Sequence, residues 1–328
     1  MPQKREFLSM DKSRIISQGV KIPTIYLKKT AVPSYVARYS KPENIQSCYT
    51  CGTCNSACPV NAATSSLRPM ELVHKAKIGL LEDLLSMPDI WYCIGCNRCS
   101  NLCPMMVKPL SLIQNIRAEA ILRKIVRPEL PEQHKELLKH LLRVLWHGVD
   151  ALLDGESPNV AEHWDQWTRT PRSGKTDGLI KLPSDTPQTA AFRQMVRGYG
   201  INATSLSSCF TCRECSNACP ICLDPSVFDP LKIFRLANFG LKDDLLRSRS
   251  IWLCLDCQSC MSACSQGVKG ALIIRQIQHI AYEEGFVAKD FPIKWQELKC
   301  EVYEQFIRKI DKLLEPVRSV KASHLKQA

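Results

Sequence analysis

The stretch Cys48-Tyr-Thr-Cys51-Gly-Thr-Cys54-Asn-Ser-Ala-Cys58-Pro59 sets the pattern for the whole 328-residue chain. Its four cysteines have the spacing C-x2-C-x2-C-x3-C, and a proline follows the last of them. The same spacing occurs three more times: Cys93, Cys96, Cys99 and Cys103; Cys209, Cys212, Cys215 and Cys219; Cys254, Cys257, Cys260 and Cys264. In the fourth copy Ser265 replaces the proline. One repeated motif therefore accounts for sixteen of the 18 cysteines.

This spacing is typical of bacterial ferredoxins, in which a motif gives three thiolates to one [4Fe–4S] cluster and its last cysteine to the neighbouring cluster. Four motifs supply ligands for four [4Fe–4S] clusters, so the pattern predicts an electron-transfer protein. We expect the following ligand sets: Cys48, Cys51, Cys54 and Cys103 (site 1); Cys93, Cys96, Cys99 and Cys58 (site 2); Cys209, Cys212, Cys215 and Cys264 (site 3); Cys254, Cys257, Cys260 and Cys219 (site 4).

Zinc and disulfides are the competing interpretations of a cysteine-rich chain. Zinc sites commonly use two separate C-x2-C pairs, whereas each motif here has three evenly spaced cysteines and a fourth four residues later. Disulfide frameworks belong to short secreted proteins, and the charged first twenty residues do not have the pattern of a signal peptide. We therefore expect iron–sulfur clusters, a cytoplasmic location and no membrane span.

The formal net charge of +12 does not by itself indicate a nucleic-acid partner. An oxidised [4Fe–4S] core with four thiolates carries a charge of about −2, so four clusters would cancel most of the basic excess. The chain also has no G-x-G-x-x-G or P-loop motif, and its seven histidines lack ligand spacing. We expect no nucleic-acid, dinucleotide or ATP site and no catalytic residue.

The chain contains an internal duplication with a constant offset of 161 residues. Outside the cysteines, the offset relates Pro69 to Pro230, Gly79 to Gly240, Trp91 to Trp252, Ile116 to Ile277 and Pro131 to Pro292. Between the motifs, apolar residues recur with helical spacing. The fold is therefore predicted to be mostly α, with two tandem α-helical ferredoxin-like modules that each hold two [4Fe–4S] clusters.

Five segments are expected from this repeat and from the composition. They are a basic N-terminal arm at 1–40, a first dicluster module at 41–154, a linker at 155–200, a second dicluster module at 201–316 and a basic tail at 317–328. The two cysteines outside the motifs, Cys222 and Cys300, align with Asn61 and Lys139. Because neither recurs in the first module, both are interpreted as ordinary thiols, with a regulatory effect of Cys222 on its neighbouring cluster as the alternative.

The two motifs of the first module, together with the long helical spacer between them, resemble the iron–sulfur C-type subunit of heterodisulfide reductases. The resemblance rests on Ser47–Pro59 and Trp91–Pro104, and it extends over 41–154 and 201–315. These proteins belong to the α-helical ferredoxin family. The resemblance implies an electron-transfer role in a hetero-oligomeric complex, between a flavoprotein (the A-type subunit) and the catalytic B-type subunit with C-C-G motifs.

This chain has no adjacent cysteines, so the C-C-G part of such a complex is absent from it. The duplication also departs from the family, whose C-type subunit usually has one module. Three other functions remain open at this point: a soluble multi-cluster electron carrier, a free redox enzyme with an open-coordinated cluster, and a scaffold in which clusters serve only folding.

Overall fold

The structure is a computed structural model that describes residues 45–170, 186–198, 200 and 203–324, with side chains described as far as 315. The predicted basic arm at 1–40, residues 171–185 of the predicted linker and the last four residues of the tail lie outside this part. Helices dominate the described residues, which contain no β-strand. The prediction of a mostly α fold is confirmed.

The first module is a series of short helices around its two motifs, closed by two longer helices. Its helices are α1 Thr53–Ala57, α2 Pro59–Thr64, α3 Pro69–Lys77, α4 Leu81–Ser86, α5 Asp89–Tyr92, α6 Arg98–Asn101, α7 Pro109–Leu122 and α8 Leu130–Leu153. Prolines begin α2, α3 and α7, where the missing backbone N–H costs no helical hydrogen bond.

Two helices, α9 Val160–Arg169 and α10 Pro187–Arg197, lie within the predicted linker. The Asn159 side chain accepts a hydrogen bond from the backbone N–H of Ala161 and caps α9. Thr186 and Thr189 cap the start of α10 reciprocally. Helix α9 packs on α8, while α10 packs on helices of the second module. Helices α9 and α10 thus contribute buried residues to the folded core.

The second module repeats the first helix by helix. After a single 3₁₀ turn at Leu206–Ser208, its elements are α11 Glu214–Asn217, α12 Pro230–Phe239, α13 Lys242–Leu246, a 3₁₀ helix at Arg249–Leu253, α14 Ser259–Ser262, α15 Gly270–Glu283 and α16 Phe291–His324. Helices α7 and α15 begin and end at positions that differ by 161 residues. Helix α2 is the exception, because residues 220–225 form turns. Helix α16 extends to His324, into the predicted tail.

The two modules interlock through their last helices. Helix α8 packs along α16, and each also crosses onto the other module: α8 contacts the 3₁₀ helix, and α16 contacts α2 and α5. Two polar contacts accompany these crossings: Arg249 pairs with Asp150, and Tyr92 Oη donates to Asp311 Oδ1 at 2.8 Å. The fully buried Phe306 of α16 belongs to the same core as the residues of the first module. The modules therefore share one core.

His134 of α8 lies buried at this interlock, with its ring edge-on to Trp91 and Phe306. Its Nε2 atom lies 2.8 Å from the Trp91 carbonyl oxygen, which can only accept, so Nε2 carries a proton. Burial and then the charge of Arg117 lower the pKa of His134 to about 3. The imidazole is thus neutral in the folded protein at neutral pH.

We expect His134→Gln to reduce the acid sensitivity of the protein. Below about pH 6.5 the unfolded chain binds a proton at His134, whereas the folded chain does not until about pH 3. Stability is therefore lost as pH falls through this window. Anaerobic urea midpoints between pH 7.5 and 5 should fall less steeply in the variant. The exposed His279 provides the control variant His279→Gln, which should keep the wild-type slope; an equal slope in His134→Gln would refute the assignment.

Candidate metal centres

All four motifs share one unusual backbone feature, a left-handed conformation on both sides of the second cysteine. The eight residues with positive φ are Thr50 and Gly52, Gly95 and Asn97, Thr211 and Arg213, Asp256 and Gln258. Such φ values are uncommon for residues other than glycine and cost conformational energy. They curl each loop tightly, so the three leading cysteines of a motif follow a short arc. A short helix then leads to the fourth cysteine; in the second motif this helix is α6, which begins two residues after Cys96.

The third and fourth motifs together line one cavity in the second module. Its cysteines are three from the fourth motif and the last one from the third motif: Cys254, Cys257, Cys260 and Cys219. The rest of the lining is mostly apolar and includes Ile221, Phe228 and Ile274. These four cysteines are the set predicted for site 4.

A second cavity lies beside the third motif. Its cysteines are Cys209, Cys212, Cys215 and Cys264, the set predicted for site 3, together with Cys260. Cys260 thus lines both cavities, so the two groups of thiols are immediate neighbours. Both cavities combine three cysteines of one motif with the last cysteine of the other.

The thiols of the first module are grouped in the same crossed manner. The pKa of Cys54 is raised to about 11, mainly by burial and to a smaller extent by negative charge on Cys48 and Cys103. The pKa of Cys99 is raised to about 12, mainly by burial and to a smaller extent by negative charge on Cys93 and Cys58. Cys103 therefore lies near the leading cysteines of the first motif, and Cys58 lies near those of the second.

The exposure of the cysteines separates outer from inner groups. Cys51 of the first motif and Cys212 of the third are exposed. In contrast, Cys58, Cys93, Cys96 and Cys99 are all buried, and so is Cys257 of the fourth motif. The cysteines predicted for sites 1 and 3 thus include one exposed thiol each, those for site 2 are all buried, and those for site 4 are one buried and three half-buried.

The residues present fit iron–sulfur clusters. All 18 thiols are free, so no disulfide competes for them. Crowded thiolates repel one another, and a cationic iron core would offset that repulsion. In addition, the Tyr303 hydroxyl is fully buried, has no hydrogen-bond partner among the described residues and lies near Cys96 and Cys58. A cluster sulfur at site 2 would provide the acceptor that this hydroxyl lacks. Within the described ranges, no three His, Cys, Asp or Glu side chains converge as for a single metal ion.

Cys222 and Cys300 occupy different surroundings from the sixteen motif cysteines. Cys222 is half-buried and lies close to Cys219, and burial raises its pKa to about 11. Cys300 is on α16, where Gln296 Nε2 donates to its sulfur at 3.8 Å. Neither cysteine lines the two cavities of the second module.

The structure also brings together residues that the motif spacing did not identify. Asn101 Nδ2 donates to the backbone oxygen of Cys257 at 2.7 Å, and Arg98 Nη1 donates to that of Leu255 at 3.2 Å. Arg98 additionally pairs with Asp256 at 3.7 Å. These bonds join the second motif to the fourth across the module junction.

Gly270 is predicted to be indispensable for site 4. A Cβ atom there would overlap the Phe234 ring and lie 2.9 Å from Cys260 Sγ, so Gly270→Ala must displace a rigid ring or a candidate ligand. Overpacking of this kind costs about 1–3 kcal/mol. We expect a lower anaerobic urea midpoint and less bound iron. His279→Ala, on the exposed face of α15, is the matched control; a Gly270→Ala protein with wild-type midpoint and iron would contradict this role.

A family model described as a 4Fe–4S dicluster domain matches the chain twice, at residues 41–107 and 205–268. The matches bear out the expected pair of cluster-binding modules and indicate 4Fe–4S clusters in place of zinc. Within the described residues, no helix is long and apolar enough to cross a membrane.

Similar curated proteins are named as C-type subunits of heterodisulfide reductases. The chain is 30% identical over 107 residues to the C-type subunit of the H(2):CoB-CoM heterodisulfide,ferredoxin reductase of Methanothermobacter marburgensis. It is 39% identical over 109 residues to the iron–sulfur C 2 subunit of the CoB–CoM heterodisulfide reductase of Methanocaldococcus jannaschii. Each match covers 33% of this chain and 55% of the relative, so the chain spans about half the length of these proteins. No solved structure gave a significant match.

Proposed function

We propose that this chain, an iron–sulfur protein similar to the C-type subunit of heterodisulfide reductases with two 4Fe–4S dicluster domains, relays electrons through four [4Fe–4S] clusters. The ligands are the sixteen motif cysteines in the four crossed sets of sites 1 to 4. Each bound cluster would take up and release one electron. The protein would hold the clusters in order, exclude water from the inner two and adjust their potentials by charge and hydrogen bonding.

The observation that carries this proposal is the contact between the second and fourth motifs. Asn101 donates to the Cys257 backbone oxygen, and Cys260 lines both cavities of the second module. These contacts support neighbouring positions for sites 2 and 4 and for sites 4 and 3. In the first module, Cys58 and Cys103 connect sites 1 and 2 in the same way. The order along the protein would be site 1, site 2, site 4 and site 3, a single route through both modules.

The two ends of this route are accessible from solvent. Beside the exposed Cys51 lies Tyr49, which is 58% exposed, and beside the exposed Cys212 lies Phe210, which is 57% exposed. These two aromatic residues occupy equivalent positions in the repeat. Exposed aromatic side chains are common anchors of protein interfaces. We infer one partner at each end: a flavoprotein and a catalytic protein with C-C-G motifs, as in heterodisulfide reductase-like complexes. The cytoplasm would keep the thiols reduced.

Anaerobic purification of the chain from its native host tests this function. We expect it to co-purify with a flavoprotein and a C-C-G protein, and its clusters to be reduced and reoxidised reversibly. Tyr49→Ala and Phe210→Ala should each weaken binding of a different partner, with Tyr282→Ala, an exposed tyrosine far from the motifs in sequence, as control. Reversible clusters without any partner would favour a soluble carrier, and clusters that do not cycle would favour a scaffold.

A further inference from the structure

The two modules differ in the charge of the side chains that contact the first cysteine of each motif. In the first module, a cationic side chain donates to the backbone oxygen of the first cysteine of both motifs. Lys77 Nζ donates to the Cys48 oxygen at 3.0 Å, and Arg117 Nη2 donates to the Cys93 oxygen at 2.6 Å. Cys48 and Cys93, the first cysteines of the two motifs of the first module, therefore each have a cationic side chain at their backbone oxygen.

The second module has neutral amides at the same places in the repeat, Asn238 and Gln278. Gln278 retains half of the interaction: its Nε2 donates to the Ile251 oxygen at 2.7 Å, as Arg117 Nε donates to the equivalent Ile90 oxygen at 2.8 Å. The duplication has thus kept the hydrogen bond at this position and changed the charge.

The guanidinium of Arg117 is buried without a described carboxylate to balance its positive charge. Its guanidinium lies over the Trp91 ring, 5.1 Å from the centroid, and no described carboxylate forms an ion pair with it. Burial lowers the pKa of Arg117, whereas negative charge on Cys93 opposes that shift. A cation removed from water is costly unless an anion compensates it. The anionic cluster of site 2 would be that anion.

Site 2 has a second feature, a fully buried hydroxyl that the repeat does not reproduce; the hydroxyl at site 4 is that of Ser259, 3.5 Å from Cys257 Sγ. The Tyr303 hydroxyl, on a side chain only 2% exposed, has no partner among the described residues and lies near Cys96 and Cys58. The residue that corresponds to it by the repeat is Leu142, which lies beside Ile221 and Leu255 and has no hydrogen to donate. Because of the helix crossing, α16 of the second module places a hydroxyl near site 2, whereas α8 of the first module has the aliphatic Leu142 at the equivalent position.

We propose, on the basis of the relay function above, that Arg117 and Tyr303 set site 2 at a higher reduction potential than site 4, so that electrons cross the junction from the second module to the first. Reduction adds one negative charge to a cluster. A nearby cation and a hydrogen-bond donor stabilise the reduced form and thereby raise its potential.

The other charged residues near the sites are paired, shared between sites or exposed. Asp256 beside site 4 is paired with Arg98 and Arg275. Arg98 also lies near Cys58, at the junction between the two inner sites. Arg213 is a cation next to site 3, but it is exposed, so water and salt screen its charge.

Potentiometric titration of the full chain, followed by electron paramagnetic resonance, tests the proposal with Arg117→Gln and Tyr303→Phe. Arg117→Gln reproduces the residue of the second module, and Tyr303→Phe removes one oxygen. Each variant should shift the same single midpoint potential downward and leave the other three unchanged. That component should be the one lost in Cys99→Ala, and in the wild type it should lie above the component lost in Cys257→Ala. Arg123→Gln and Tyr282→Phe, both at the surface, are the matched controls.

The proposal is overturned if variants with wild-type iron content keep all four potentials, or if Arg117→Gln and Tyr303→Phe shift different components. Tyr303→Phe alone decides the question if Arg117→Gln does not fold. Failure of the relay function is distinguishable: wild-type clusters that cannot be reduced and reoxidised would remove both proposals, whereas reversible clusters with unshifted potentials would remove only this one.

Discussion

Cys219→Ala is expected to abolish the cluster of the fourth motif and to leave that of its own motif in place. Cys219 lines the cavity that holds Cys254, Cys257 and Cys260, and it is not among the residues that line the cavity of Cys209 and Cys212. Loss of one of four ligands should reduce the iron content from about sixteen to about twelve atoms per chain. Iron and sulfide analysis with paramagnetic resonance spectra of the reduced protein measures this effect.

Two further variants make the result decisive. Cys257→Ala should remove the same spectral component as Cys219→Ala, although the two residues belong to different motifs. Cys222→Ala, three residues after Cys219 and half-buried, is the control and should keep all iron. If Cys219→Ala removed the component that is lost in Cys212→Ala instead, the crossed arrangement of ligands would be wrong.

Phe306→Ala should destabilise both modules together. Phe306 is fully buried on α16 and packs edge-on against His134 of α8, with 6.1 Å between ring centroids. Truncation of a buried phenylalanine costs about 3–5 kcal/mol. Since α16 also contacts α2 and α5, the substitution should lower the stability of the first module as well. Anaerobic urea unfolding, followed by far-ultraviolet circular dichroism and by cluster absorbance, should show one transition at a lower midpoint.

The matched control for this variant is Ile293→Ala on the same helix, whose side chain is 65% exposed. Surface substitutions usually change stability by less than about 0.5 kcal/mol. Two separate transitions in Phe306→Ala, with one module retaining its wild-type midpoint, would contradict the shared core.

Much of the fold follows from the repeat because local patterns determine it. The 161-residue offset relates α7 to α15 residue for residue, and the apolar spacing of Ile113 and Ile116 identifies the buried face of α7. Helix α9 could have been predicted in the same way, because Val160, Trp164 and Trp167, which are buried, recur at helical spacing in the sequence. The glycines and prolines on either side of it favoured a linker interpretation instead.

The docking of the two modules could not be predicted in this way. Contacts such as Arg98 with Asp256, or Tyr303 with the surroundings of Cys96 and Cys58, join residues more than 150 positions apart. No local pattern encodes them, because they depend on how α8 and α16 cross. Arg117 carried a weak signal: a comparison of the repeats shows that its counterpart is the uncharged Gln278. That difference gains meaning only when the structure places Arg117 at the Cys93 carbonyl.

A reductive titration of the anaerobically purified full chain, with iron and sulfide determined on the same sample, tests the four-cluster relay. We predict about sixteen iron atoms and the reversible uptake of about four electrons per chain, one for each cluster. About eight iron atoms and two electrons would mean that only one module holds clusters. Clusters present at full iron content that accept no electrons would contradict the relay itself.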